Sequence, residues 1–242
     1  MSKNESMINI TVSALLLSIG VALAGYFVSN TLYNSKVALN TADVKGLAER
    51  RVKANKAHWI IHYTVTGDNK SAIPKLYKDS ESDQKKIIAL LKSSGFSDNE
   101  IVPGIINYIK KEFRDENQKL IEEKHSLVGE IEVRTSKVQL VSEGRSKLNT
   151  LIAQGIDVRN NAPAYHFTEL NEIKPAMLKE ATKNARLAAN EFATNAGVKV
   201  GGIRSARQGG FVIRDVGQNY GDTKKIEKDV RVVTNVTFFL TE

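Results

Sequence analysis

The sequence predicts an α+β fold of largely antiparallel sheets packed with helices, set behind an N-terminal transmembrane or signal helix. Three features predict it. Ser6 to Ser35 contains no Asp, Glu, Lys or Arg. Ala57–Val65 and Val230–Leu240 are runs of β-branched and aromatic residues, the composition of strands. Pro175–Ala196 repeats apolar residues at three- and four-residue steps, the spacing of one helix face.

The bulk properties bound the function. A chain of 242 residues buries a full core in one domain or two small ones. The absence of cysteine excludes disulfides, thiolate catalysis and Cys-based zinc sites. A net charge of +8 favours anionic partners: nucleic acid, phospholipid headgroups or acidic polymers.

The uncharged N-terminal stretch holds Ile8–Val28, and about 20 apolar residues in a helix span the ~30 Å hydrocarbon layer. Tyr26 and Tyr33 fall where interfacial aromatics sit. Two versions compete. Ala22-Leu23-Ala24 has the small-x-small form of a signal-peptidase site. Against cleavage, Lys3 is offset by Glu5, and the apolar run continues through Tyr26, Phe27 and Val28. An uncleaved anchor is favoured. Residues 1–36 are therefore read as anchor or signal, and 37–242 as one exported domain.

Within that domain, Val37–Thr66 carries strand signals, with a bulge or turn near Gly46 and a turn at Gly67-Asp68-Asn69. Ser80–Ser94 reads as a short helix ended by Gly95. Ile101–Phe113 is mixed, and Arg114–Lys124 reads as a charged connection. Leu127, Gly129, Ile131 and Val133 alternate with polar residues as one face of a strand. Thr135 or Ser136 caps a helix carrying Val138, Val141, Leu148, Leu151 and Ile152, which stops at Gly155. Ile156–Val158 and Tyr165–Leu170 are strand candidates. The Pro175–Ala196 helix presents Leu178, Ala181, Ala185, Ala188, Phe192 and Ala196, with Pro175 in its first turn and a left-handed Gly197 after it. Trp59, Phe192 and Phe238 are assigned to the core. Val230–Leu240 is either a central strand or an edge open to strand addition by a partner.

Several fragments together resemble the SIMPL-domain family in its bacterial membrane-anchored branch. They are Val44–Arg50 followed by Trp59, Tyr165–Thr168, Ile173–Met177, Ala181–Arg186, Ser205–Gly209 and Val230–Thr234. The resemblance spans about 37–242 and is shortened around Ile101–Lys124. It implies an exported envelope domain, links to stress tolerance and self-assembly, and no catalytic residues.

Candidate chemistry is sparse. His58 and His62 are four apart, but on a strand that spacing separates them by ~13 Å, too far for one metal. His125 and His166 have no partners evident in the sequence. The glycines at 197, 201, 202, 209 and 210 match neither phosphate-binding pattern and read as turns and bulges. Arg204, Arg207, Arg214, Lys224 and Lys225 form a possible anion-contact face, diluted by Asp215, Asp222, Glu227 and Asp229. Neither a catalytic residue nor a metal or other cofactor is called for.

The expectation is a non-enzymatic, single-pass inner-membrane protein with its main domain in the periplasm, or one secreted there after signal cleavage. Its expected partners are the membrane, through the N-terminal helix, a second copy of itself as a homo-oligomer, and an acidic envelope polymer or lipid headgroup, not nucleic acid. The alternative function is a hydrolase of envelope polymers, which needs convergent carboxylates or an activated nucleophile. For topology, a phosphatase reporter fused after Glu242 is expected to be active. An inactive phosphatase with an active cytosolic reporter at the same position reverses the assignment.

Overall fold

The computed structural model describes residues 3–37 and 40–241. Among them, in chain order, are α1 (Lys3–Val37), β1 (Thr41–Lys53), β2 (Lys56–Gly67), α2 (Ile73–Ser93), β3 (Ile101–Arg114), β4 (Leu120–Thr135), α3 (Val138–Ala153), β5 (Asp157–Asn160), β6 (Ala164–His166), α4 (Leu170–Asn195), β7 (Lys199–Gln208), β8 (Val212–Asp215) and β9 (Glu227–Thr241). This is the expected mixture of helices with antiparallel sheets. The expected boundary at residues 36 and 37 adjoins residues 38 and 39, which lie outside the described residues, as do Met1, Ser2 and Glu242.

Helix α1 carries Ile10–Tyr33, a segment long and apolar enough to cross a membrane, and none of it is buried in the protein. Both an anchor and a signal sequence have that character. The chain, α1 included, divides into two compact units. One takes the described residues of Met1–Ala48, Ala176–Gly210 and Val232–Glu242; the other takes Glu49–Pro175 and Phe211–Arg231.

The larger unit is built on a sheet of order β3-β4-β2-β5, with β6 also paired to β2. Strand β2 runs antiparallel to β4, with Trp59 opposite Val133 and Tyr63 opposite Gly129. Alternation puts Ala57, Trp59, Ile61 and Tyr63 on one face of β2, and Leu127, Gly129, Ile131 and Val133 on the same face of β4, all buried. Glycine is required at 129, because a Cβ there would lie 2.1 Å from the Tyr63 ring. That face is covered by Ile87 and Leu91 of α2 and by Val138, Val141, Leu148 and Leu151 of α3. Helix α2 begins at Ile73 rather than Ser80, with Pro74 in its first turn, where a missing N–H costs nothing.

The main departure from expectation is Ile101–Lys124. It is not a connection but a long antiparallel hairpin, β3 against β4, with Ile101 opposite Val133 and Phe113 opposite Glu122. Its tip turns at Asp115, whose carboxylate accepts the N–H groups of Asn117 and Lys119, while Gln118 takes a positive φ of 64°. Its base is pinned by Glu100. Burial alone would raise this carboxyl's pKa. The Ser97 N–H (2.8 Å), the Thr135 hydroxyl (2.6 Å) and the Lys137 ammonium (2.9 Å) outweigh burial and hold it at about 2.

In the smaller unit, β9 lies between β1 and β7. Val230–Leu240 is therefore central, and the edge alternative for it is removed. Val232, Thr234, Val236 and Phe238 point to one side. Helix α4 packs there, through Ala185 and Ala189 against Val236 and Phe238. Gly46 lies within β1, not at a turn. A Cβ there would sit 1.8 Å from the Ala181 carbonyl oxygen and 2.6 Å from the Ala185 nitrogen. The strand and the helix backbone thus touch directly.

The buried row of α4 is Met177, Ala181, Ala185, Ala189 and Ala193. Ala188, Phe192 and Ala196 are exposed, so the expected face was right at 181 and 185 and rotated off thereafter. The helix also starts at Leu170, which places Pro175 inside it rather than in its first turn. Gly197 has the left-handed φ of +70° expected of it. Of the three aromatics assigned to the core, Trp59 and Phe238 are buried and Phe192 is 63% exposed. Phe238→Ala is expected to destabilise the unit by about 3–5 kcal/mol, while Phe192→Ala stays within about 0.5 kcal/mol. Denaturant unfolding of both variants, followed by circular dichroism, checks the contrast.

Candidate functional site

The five cations singled out in the sequence fall into two groups. In the smaller unit, Arg204 and Arg207 stand exposed on β7, an edge strand, with Arg204 at the register shift between Ile203 and Ser205. In the larger unit, Arg214 lies on β8 opposite Asp229, and Lys224 and Lys225 precede β9. The lysine loop is wrapped around an anion of its own. The fully buried Asp215 accepts the Lys224 N–H (2.8 Å), the Lys225 N–H (3.1 Å) and the equally buried Lys228 ammonium (2.5 Å). Lys225 Nζ is held by the Val216 carbonyl at 2.7 Å. Burial alone would raise the pKa of Asp215, but the Lys228 ammonium and the two backbone N–H groups hold it below the usual carboxylate range. Lys228 closes this loop from within, and the side chains of Lys224 and Lys225 are exposed.

Three of the four histidines are also absorbed into the fold, while His166 is exposed on β6. His58 pairs with Glu132, and His62 lies 3.4 Å from Glu130 and 2.9 Å from the Asn161 amide. His125, isolated in the sequence, is buried between the Tyr108 hydroxyl (2.6 Å) and Glu123 (3.0 Å). The chain of contacts continues from Glu123 to Lys110 (2.9 Å), Glu112 (2.9 Å) and Arg114 (2.5 Å). Lys110 and Arg114 hold Glu112 at about 2. The network crosslinks the two strands of the hairpin and stiffens it.

Two surfaces remain that the sequence reading missed. The first is the hairpin itself. Past its base, Ile105 is 76% and Ile121 69% exposed, and Tyr108, Ile109, Phe113 and Leu120 are also exposed. The outer edge of β3 is unpaired along its 14 residues. No signal short of the strand pairing itself would have found it, because a ribbon with both faces in solvent shows no inside–outside alternation.

The second surface is a groove of about 650 Å³ in the smaller unit, between α4 and β7. Leu178, Leu187, Ile203 and Phe238 give it an almost wholly apolar lining, and Lys179, Lys183 and Arg186 stand along it. Arg186 donates to the carbonyls of Gly201 (2.9 Å) and Val200 (3.2 Å) and lies 5.1 Å from the centre of the Phe238 ring. The exposed Leu187 in the helical repeat was the available signal for it.

A family model described as "SIMPL: Protein of unknown function (DUF541)" matches residues 42–238. No curated protein matches the chain.

The Asp215–Lys228 pair yields a prediction. Lys228→Met leaves a buried carboxylate without its cation and is expected to cost about 3–5 kcal/mol at neutral pH. The folded Asp215 has a depressed pKa, so its contribution is present above the ordinary carboxylate range and lost as pH falls through the folded value. The deficit of the variant is therefore expected to shrink in acid. Urea unfolding at neutral and acidic pH measures both.

Proposed function

The chain belongs to the SIMPL (DUF541) family, and from that premise we propose that it is a non-enzymatic cell-envelope protein that works by self-association. In this reading α1 is an uncleaved inner-membrane anchor and the folded units stand in the periplasm, with stress tolerance as the process served. The observation that carries the reading is the hairpin of β3 and β4. A long unpaired edge bearing exposed Ile105, Tyr108, Ile109 and Phe113 is the kind of surface that soluble monomers blunt or cover.

The charge of the arm supports a second copy as the occupant. Residues 101–124 hold five basic residues (Lys110, Lys111, Arg114, Lys119, Lys124) and five acidic ones (Glu112, Asp115, Glu116, Glu122, Glu123). The chain as a whole carries +8, yet this arm is neutral and mixed. The charged residues of β3 all lie within 110–114, so antiparallel pairing of two β3 edges sets them against the uncharged 101–105 end of the other copy and supplies backbone hydrogen bonds to both. The rigid Tyr108–His125–Glu123 network limits the entropy lost on docking.

The test is the mass of the full chain in a neutral maltoside micelle, measured by light scattering. The native chain is expected to be oligomeric. Ile105→Lys with Ile121→Lys, both on exposed positions, is expected to shift it to monomer without loss of thermal stability. An oligomer unchanged by the pair of substitutions removes the hairpin as the interface.

A further inference from the structure

We infer that the groove between α4 and β7 binds a long-chain fatty-acid carboxylate, with the acyl chain on Leu178, Leu187, Ile203 and Phe238 and the carboxylate at Lys179 and Lys183. The groove volume of about 650 Å³ lies in the range of small-molecule sites, roughly 300–1,000 Å³. Its floor is Phe238, which is fully buried, while Leu187 (53%) and Ile203 (51%) stand half open to solvent. An acyl chain laid along them removes apolar surface from water at about 25 cal/mol per Å².

The charged rim chooses the head of the ligand. Lys179, Lys183 and Arg186 line the groove, and no acidic side chain does. Arg186 is already engaged with two backbone carbonyls and the Phe238 ring. Among the described residues, no ion pair engages Lys179 or Lys183. They are four apart on one helix, so both ammonium groups reach the same side of the groove and suit a single anionic head. A cationic or zwitterionic head gains less from them.

The same charges argue against a second copy here. A two-fold contact would set Lys179, Lys183 and Arg186 against themselves, a like-charge arrangement that disfavours pairing. The chain also keeps this unit near lipid whenever α1 is in a membrane. Only four residue steps separate Val37, the end of α1, from Thr41, the start of β1. Fully extended, four residues reach about 14 Å.

The experiment uses the full chain in membrane vesicles and a photoactivatable diazirine palmitate. After irradiation, labelled positions are mapped by peptide mass spectrometry. Labelling of Ile10–Tyr33 serves as the internal measure of probe in the bilayer. The expected result is additional labelling within 178–187 and at Ile203. Excess palmitate should remove it, and hexadecyltrimethylammonium should not. Lys179→Glu with Lys183→Glu, both solvent-exposed, should reduce the groove label at least tenfold while leaving the α1 label unchanged. Label confined to α1 overturns the inference, as does equal competition by the cationic amphiphile or a charge-reversed variant that labels as well as the native chain. Leu187→Cys introduces the chain's only thiol. A disulfide-linked dimer of that variant under mild oxidation identifies a second copy as the occupant and likewise overturns it.

Discussion

The smaller unit depends on one close contact, the backbone of β1 at Gly46 against the backbone of α4 at Ala181 and Ala185. Only a glycine on the strand and alanines on the helix allow that approach. The buried row of α4 follows from it. Every fourth position from 181 to 193 is alanine, so the helix lies close to the sheet along that line. Between 181 and 193 a helix seated so closely carries only alanine beneath it, and Met177, one turn before, is the one large side chain in the buried row. Leu178, Leu187 and Phe192 are consequently displaced to its flanks, where they are partly or largely exposed. The groove beside β7 is the result of that displacement. A core made of small residues creates apolar surface next to itself.

The larger unit is organised by the opposite device, large side chains in strict alternation. Trp59, Ile61 and Tyr63 on β2 and Ile131 and Val133 on β4 form a continuous apolar face under α2 and α3. Alternation on β4 persists from His125 to Thr135 and ends toward Leu120, where α2 and α3 no longer cover the sheet. From there β3 and β4 continue as a two-stranded ribbon. Such a ribbon is marginal alone. Here the Tyr108–His125–Glu123–Lys110 contacts tie its strands, and Glu100 anchors its base to Thr135 and Lys137.

What was legible in the sequence divides along the same physical line. Leu127–Val133 declares itself by period-two alternation, and its inward residues were read correctly; Ala57–Val65 was read as a strand from its aromatic and β-branched composition, with Trp59 alone assigned inward. The terminal strand was read as a strand, but its place between β1 and β7 depends on non-local pairing that no local pattern encodes. The hairpin was read as a connection because its residues obey no burial period, and its tip lacks the Asn-Gly or Asp-Gly signal of short hairpins. In α4, alanine and phenylalanine both count as apolar, so periodicity alone did not separate the alanine row from the neighbouring row that ends at Phe192. Volume does separate them, because at Gly46 the strand lies directly against the helix backbone at Ala181 and Ala185. In the cation cluster, Lys224 and Lys225 are exposed as a diluted surface would have them, but no local pattern marks Asp215 and Lys228, which are both fully buried and around which the loop is built.

The net charge of +8 is thus not spread evenly, and its distribution carries more information than its sum. The 101–124 arm is neutral and mixed in sign, which suits the self-association proposed for it. The charged groups along the α4 groove are all cations beside an apolar lining, which suits the amphiphilic anion proposed there. In the 224–228 segment, Lys228 spends its positive charge inside the fold on Asp215, while Lys224 and Lys225 are exposed and give Asp215 only their backbone N–H groups. A net charge for the whole chain does not separate the three. Only burial and pairing distinguish a cation that closes a loop from one that remains available to a ligand.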